Sequence, residues 1–173
     1  MTAAGHRNAL DELRRALSTR ATITPTRFQN VYHWGDFRGN PTTLMERYFD
    51  AFVYFANWGT HQLMLRLPRG LLNLTTAARY CGEDGLQAWQ TAEHVIVAFR
   101  SEDESGDDLA DDEEGWIASL LPLRADLAVG DLRALYLGWL SCAQAEELED
   151  DAVEPPVPPG LGAPSAALQA WTA

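Results

Sequence analysis

The sequence contains no lysine: all thirteen of its basic residues are arginine. A phosphate-binding loop of the Walker type needs a lysine, so nucleotide hydrolases of that kind are excluded, and no GxGxxG pattern is present either. No apolar run approaches the roughly 20 residues that a membrane-spanning helix requires. The opening MTAAGHRNALDELRRAL carries charges where a signal peptide has its apolar core. These absences predict a cytoplasmic protein without a membrane segment.

Cysteine and histidine are also scarce. The two cysteines, Cys81 and Cys142, lie far apart, and without an export signal a structural disulfide is not expected. The four histidines show none of the CxxC, HxxxH or HExxH spacings typical of zinc sites. The sequence therefore predicts no metal site and no cofactor.

Charge is distributed unevenly along the chain. Residues 1–100 hold 8 acidic residues and 11 arginines, a net charge of +3. Residues 101–173 hold 17 acidic residues and 2 arginines, a net charge of −15. Nine of these acids lie within residues 102–114, where no basic residue occurs. Such a run is typical of a solvated segment, so we interpret it as an acidic loop.

Core-forming residues, in contrast, are abundant: 46% of the chain is hydrophobic, ample for one domain. The densest block lies between Asn40 and Pro68. Asn40 followed by Pro41 is typical of an N-cap and the first position of a helix. The apolar run from Phe52 to Trp58 predicts a strand buried on both faces. After a turn at Gly59 and Thr60, alternating residues predict a second strand.

Weaker patterns predict further elements on both sides of this block. They are a helix around Leu10, Leu13 and Leu17; extended segments over residues 21–24 and 28–34; a short helix capped by Asn73 and closed by Gly82 in the left-handed conformation; a hairpin over residues 86–99; and a helix from Leu132 to Ala143.

Helices and strands alternate up to Phe99, and only helices follow. This order predicts an α+β fold with a mainly antiparallel sheet, helices on one face and an all-helical C-terminal part. A ferredoxin-like βαββαβ arrangement is the nearest named pattern. We expect one α+β domain over residues 1–154, which includes the acidic loop 102–114. A proline-rich C-terminal extension follows over residues 155–173, where PPVPPG predicts polyproline-like backbone.

Four stretches together resemble a family of uncharacterised bacterial proteins: RATITPTRFQNVYHWGDFRGNP, ANWGTHQLMLRLP, GDLRALYLGWL and VEPPVPPGLG. The resemblance covers most of the chain and implies no activity, cofactor or catalytic residue. Family members carry a strand before the first helix and further helical sequence after the proline segment. The resemblance therefore implies a member that is truncated at both ends or divergent. A missing strand leaves a sheet edge unpaired, which predicts a homodimer through that edge as one mode of assembly.

Three polar residues are candidates for a catalytic site. His33 and Asp36 have the chemistry of a general base with its orienting carboxylate, and His61 follows a predicted turn. A small hydrolase-type enzyme using these three residues is the alternative hypothesis. Cys81 is a further candidate nucleophile, but no known nucleophile motif surrounds it. Because a histidine beside aromatic residues in a strand is more often structural, an enzyme is the less favoured interpretation.

Ten of the seventeen aromatic residues lie between Phe28 and Trp58, more than one helix–sheet layer buries. We expect an interaction surface there, formed by Tyr32, Trp34, Phe37 and Trp58. Arginines interleaved with aromatics also suit single-stranded nucleic acid, but the charge of +3 is low and the acidic remainder repels a polyanion. Nucleic-acid binding is therefore the weaker alternative. The leading hypothesis is a structural or protein-interaction domain that binds an unknown protein or a second copy of itself.

Overall fold

The structure is a computed structural model, and it describes residues 22–23, 28–29, 37, 39–55, 59–82, 84–102, 118–145, 148 and 151–172. The chain divides into two compact units, Met1–Phe49 and Asp50–Ala173. The larger unit contains a four-stranded sheet and most of the described helices.

The described part of the first unit contains two short strands and one helix. Strands β1 (Thr22–Ile23) and β2 (Phe28–Gln29) form an antiparallel pair. Helix α1 covers Pro41–Arg47, and its N-cap Asn40 accepts a 3.0 Å hydrogen bond from the backbone N–H of Thr43. The predicted start of this helix is therefore confirmed. The predicted helix around Leu10 lies outside the described residues.

The second unit is built on an antiparallel sheet. Its strands are β3 (Ala51–Phe55), β4 (Thr60–Pro68), β5 (Leu86–Gln90) and β6 (His94–Glu102), in the spatial order β3-β4-β6-β5. Strand β4 pairs with β6 along its full length, with Leu65 opposite Val97. The predicted β5–β6 hairpin is confirmed, and the acidic loop beyond Glu102 lies outside the described residues.

Strand β3 differs from the strand predicted for the run from Phe52 to Trp58. It lies at the edge of the four-stranded sheet, and its residues 51–54 are only half-buried. The prediction of a strand buried on both faces is therefore wrong. The reason is that an apolar run shows how much surface a strand can bury, while its place in the sheet depends on distant strands.

The sheet confirms the α+β class, although its order is not the ferredoxin-like βαββαβ. Two hairpins are joined by the short helix α2 (Leu74–Ala78), which gives ββαββ with every neighbouring pair antiparallel. A βαββαβ order has one hairpin between two helical crossovers. Here one helical crossover, from β4 through α2 to β5, lies between two hairpins, and β6 lies between the two strands that it joins.

One face of the sheet is covered by helices, as predicted. Helices α3 (Pro122–Ala128), α4 (Arg133–Gln144) and α5 (Ala166–Thr172) contribute to the same buried cluster as alternate residues of β4 and β6. The alternation places one set of side chains on this face. The main members of the cluster are Leu63, Leu65, Leu67, Val95, Val97, Phe99, Leu120, Leu123, Leu127, Leu135 and Leu168.

Helix α4 approaches the sheet closely at Gly138. A methyl group at this position would lie 3.1 Å from Leu86 Cδ2 and from two ring carbons of Phe99, closer than ordinary van der Waals contact. Glycine therefore lets the backbone of α4 lie closer to Leu86 and Phe99 than a larger residue would. The predicted helix over residues 132–143 is confirmed.

Gly82 has a similar packing role and not the predicted one. Among the described glycines the positive φ angles belong to Gly59, Gly130 and Gly160, so Gly82 does not end α2 in the left-handed conformation. A Cβ atom at Gly82 would instead lie 3.1 Å from Leu148 and 3.3 Å from the Cβ of Cys142. The position requires a small residue because of these neighbours, which are distant in sequence.

Candidate functional site

Most residues predicted as site residues lie outside the part of the chain that the structure describes: His33, Asp36, Tyr32, Trp34 and Trp58. Of the remaining two, Phe37 is half-buried in the first unit. His61 is half-buried in strand β4, opposite Phe55 and Ser101 in the register. The hydrolase hypothesis and the predicted aromatic surface therefore stay predictions.

Two depressions of the described surface lie next to the turn that connects β4 to α2. They share Arg69, Leu72 and Asn73 in their linings, and His61 lines neither. Within the described ranges, no group of three histidine, cysteine or acidic side chains is arranged to hold a metal ion. None of the helices in those ranges is long and apolar enough to cross a membrane.

Cys81 and Cys142 carry thiols and are not joined in a disulfide. Cys142 is buried in α4, and Cys81 is half-buried just after α2, with its Sγ 3.6 Å from the carbonyl oxygen of Ala77. Burial raises the pKa of the Cys81 thiol from 9.0 to about 11, and the proximity of Cys142 adds to the rise. A thiol that stays protonated at neutral pH is a poor nucleophile, which argues against Cys81 as a catalytic residue.

At pH 8 we expect Cys81 to react with iodoacetamide on the order of 100-fold more slowly in the folded protein than in the denatured protein. The reason is that a rise in pKa from 9.0 to about 11 lowers the thiolate fraction by about the same factor. Peptide mass spectrometry over time measures the rate. The folded state also holds this proton to higher pH than the unfolded state does. The associated stability is therefore complete below pH 9 and is lost as the pH rises through about 11. Rapid alkylation of folded protein at pH 7 contradicts the prediction.

The C-terminal part contains the arrangement with the clearest binding geometry, residues 153–159, which we call the proline ridge. Its sequence is VEPPVPP, so four of its seven residues are proline. Proline fixes φ near −65° and disfavours helical backbone in the residue before it. Residues 153–158 are neither helix nor strand, and Pro159 lies in a turn. The polyproline-like backbone predicted for this segment stays a prediction.

Burial along this segment repeats every three residues. Pro155 is buried and Pro158 is half-buried, whereas the other five residues of the ridge are exposed. A repeat of three is that of a polyproline II helix, which has three edges. One edge therefore packs against the protein and two edges face solvent. The solvent edges are formed by Val153, Pro156 and Pro159, and by Glu154 and Val157. Because Tyr136 holds the carboxylate of Glu154, Val157 is the side chain that the second of these edges offers to a partner.

Side chains of the helical layer hold the ridge in place. The hydroxyl of Tyr80 donates a 2.9 Å hydrogen bond to the carbonyl oxygen of Pro156. The hydroxyl of Tyr136 donates one of 2.7 Å to the carboxylate of Glu154. Backbone carbonyls in such a segment have no ladder partner, so donors of this kind fix its position.

Arg133 anchors the chain just beyond the ridge. Its Nη1 donates to the carbonyl oxygens of Gly160 at 3.0 Å and Ala163 at 2.8 Å. Its Nε and Nη2 are oriented by Asp131, with Nη2 2.6 Å from Oδ2. This hydrogen-bonded pair lowers the pKa of Asp131 and raises the pKa of Arg133. Both residues therefore keep their charges at neutral pH and hold the segment.

Two apolar side chains lie on the solvent edges. Val153 is 84% exposed and Val157 is 56% exposed. Six acidic residues lie within residues 146–154, and no basic residue occurs from residue 145 to the end of the sequence. The result is an apolar, fixed ridge preceded by an acidic segment. The sequence contains its signal, prolines at a spacing of three, which predicts a proline-rich extension with polyproline-like backbone but no binding role.

Comparisons with protein-family models, with curated proteins and with solved structures found no match to this chain. The resemblance to an uncharacterised bacterial family therefore stays a prediction. Functional inference depends on the chemistry of the chain's own residues.

Proposed function

We propose that this protein is a cytoplasmic protein-interaction domain that binds its partner through the proline ridge. The observation that carries the proposal is the display of Val153 and Val157 on backbone that Tyr80, Tyr136 and Arg133 hold in place. Apolar side chains fixed on a surface lose little entropy on binding, so a partner gains from burying them.

Two further features support the proposal. Prolines restrict the ridge in the unbound chain, which lowers the ordering cost of association. Cys81 and Cys142 carry thiols, which suits a reducing compartment such as the cytoplasm. A second copy of this chain is one candidate partner, as the sequence predicted.

Replacing Val157 with aspartate is expected to reduce partner binding by at least about tenfold, because it places an unpaired charge in the interface where an apolar contact was. The full-length chain is immobilised, exposed to a lysate of its host, and the retained proteins are quantified by mass spectrometry. The matched control is Val129→Asp, which adds the same charge at an exposed valine in the turn after α3.

A protein retained by the wild type and by Val129→Asp, but lost with Val157→Asp, is the expected result. Two results contradict a role of the ridge. In one, both variants retain a protein equally; in the other, neither variant nor the wild type retains any protein. Light scattering of the same three proteins identifies the partner as a second copy if a dimer dissociates only with Val157→Asp.

A further inference from the structure

We propose that the partner is a protein domain with an aromatic-lined groove for polyproline helices, bordered by basic side chains, which binds the two solvent edges of the ridge. This inference rests on the proposed function and adds the class of partner. It follows from the register of the prolines, from the fixed backbone and from the charge around the ridge.

The ridge contains two overlapping PxxP registers. Pro155 and Pro158 lie on the edge that packs against the protein, and they are buried and half-buried. Pro156 and Pro159 lie on a solvent edge, and both are exposed. Because a polyproline helix repeats every three residues, each register occupies a single edge. The chain thus uses one PxxP register to fix the ridge and leaves the other on its surface.

An exposed PxxP register is the form that aromatic grooves bind. Such grooves place flat aromatic side chains against proline rings and gain affinity because the polyproline helix is already formed. Here Val153 shares an edge with Pro156 and Pro159, which extends the apolar edge by one further turn of the helix. The carbonyl oxygen of Pro156 already accepts from Tyr80, so this side of the backbone remains directed to the protein while the partner binds the opposite side.

The negative charge of the chain around the ridge favours basic side chains at the border of the partner's groove. Six acidic residues lie within residues 146–154, and residues 145–173 contain no basic residue. A groove with an acidic border is repelled by this segment, whereas a basic border is attracted and associates faster at low salt. The same charge disfavours nucleic acid and anionic lipid surfaces, because both are polyanionic.

To test this inference, the isotope-labelled full-length chain is titrated with purified SH3, WW and EVH1 domains and followed by NMR spectroscopy. The domains are chosen so that some have basic and others acidic side chains at the border of the groove. Prolines have no backbone N–H, so the ridge is followed through the amides of Val153, Glu154 and Val157. Saturable shifts of these amides, with a dissociation constant below about 1 mM, are expected for domains with basic borders. Affinity is expected to fall as salt is raised.

The double variant Pro156→Ala and Pro159→Ala removes the solvent register. It is expected to bind at least tenfold more weakly while its thermal unfolding is retained, since both prolines are exposed. The matched control is Pro122→Ala with Pro164→Ala, two exposed prolines outside the ridge, which is expected to bind like the wild type.

Three outcomes overturn the inference. No domain binds with a dissociation constant below about 1 mM, domains with acidic and with basic borders bind equally well, or the double variant binds as tightly as its control. The lysate experiment separates this failure from that of the proposed function. Ridge-dependent retention of a protein without a polyproline groove leaves the proposed function standing and overturns the partner class. If no protein is retained in a way that depends on the ridge, both the proposed function and the partner class are overturned.

Discussion

Replacing Phe99 with alanine is expected to lower the free energy of unfolding by about 3–5 kcal/mol, a large part of the 5–15 kcal/mol typical of a domain. Phe99 is 1% exposed and lies in the centre of β6, opposite Leu63 on β4 and Leu86 on β5. Two of its ring carbons lie 3.1 Å from the position that a Cβ atom at Gly138 of α4 would occupy. Removing the ring therefore leaves a cavity between sheet and helix.

We expect the loss to be near the upper end of this range. Gly138 has no side chain that can move into the cavity, and the sheet pairing on both sides of Phe99 prevents β6 from shifting. Urea denaturation followed by tryptophan fluorescence and circular dichroism measures the change. Leu71→Ala, at an exposed leucine, is the control and is expected to stay within about 0.5 kcal/mol. A loss below about 1 kcal/mol for Phe99→Ala shows that the ring is not enclosed as described.

The second large effect is expected for Leu168→Ala, at about 2–5 kcal/mol. Leu168 belongs to helix α5, is 2% exposed and is part of the buried cluster that includes Leu123 and Leu127 of α3. The helix follows the proline ridge, and Arg133 binds the carbonyl groups of Gly160 and Ala163 between them. The C-terminal helix therefore secures the far end of the ridge.

Leu168→Ala is expected to act on the ridge as well as on stability. Hydrogen exchange at the amide of Ala163, which donates to the carbonyl oxygen of Gly160 at 3.1 Å, is expected to accelerate, because α5 detaches more often and releases the backbone between ridge and helix. Leu121→Ala, at an exposed leucine beside α3, is the control for both measurements. Unchanged stability and unchanged exchange in Leu168→Ala would mean that the ridge is fixed without α5.

Local signals predicted several elements correctly from the sequence. Asn40 and Asn73 were identified as caps, and in both cases the side-chain oxygen accepts from a backbone N–H within three residues. The β5–β6 hairpin and helix α4 were also predicted, because alternation and helical spacing are expressed over a few neighbouring residues. For the candidate site, the consecutive prolines predict an extended backbone, and residues 153–158 are neither helix nor strand.

Only the tertiary structure decided which surfaces these elements bury. The edge position of β3, the close approach at Gly138 and the packing of Gly82 against Cys142 all depend on residues far away in the sequence. Likewise, proline composition gives a helix with three equivalent edges. Tyr80, Tyr136 and Arg133 hold this segment against the protein, and they lie between 18 and 76 residues from the atoms they bind. Contacts at such separations leave no periodic pattern in the sequence. Only the tertiary structure therefore shows that Pro156 and Pro159 form the exposed register.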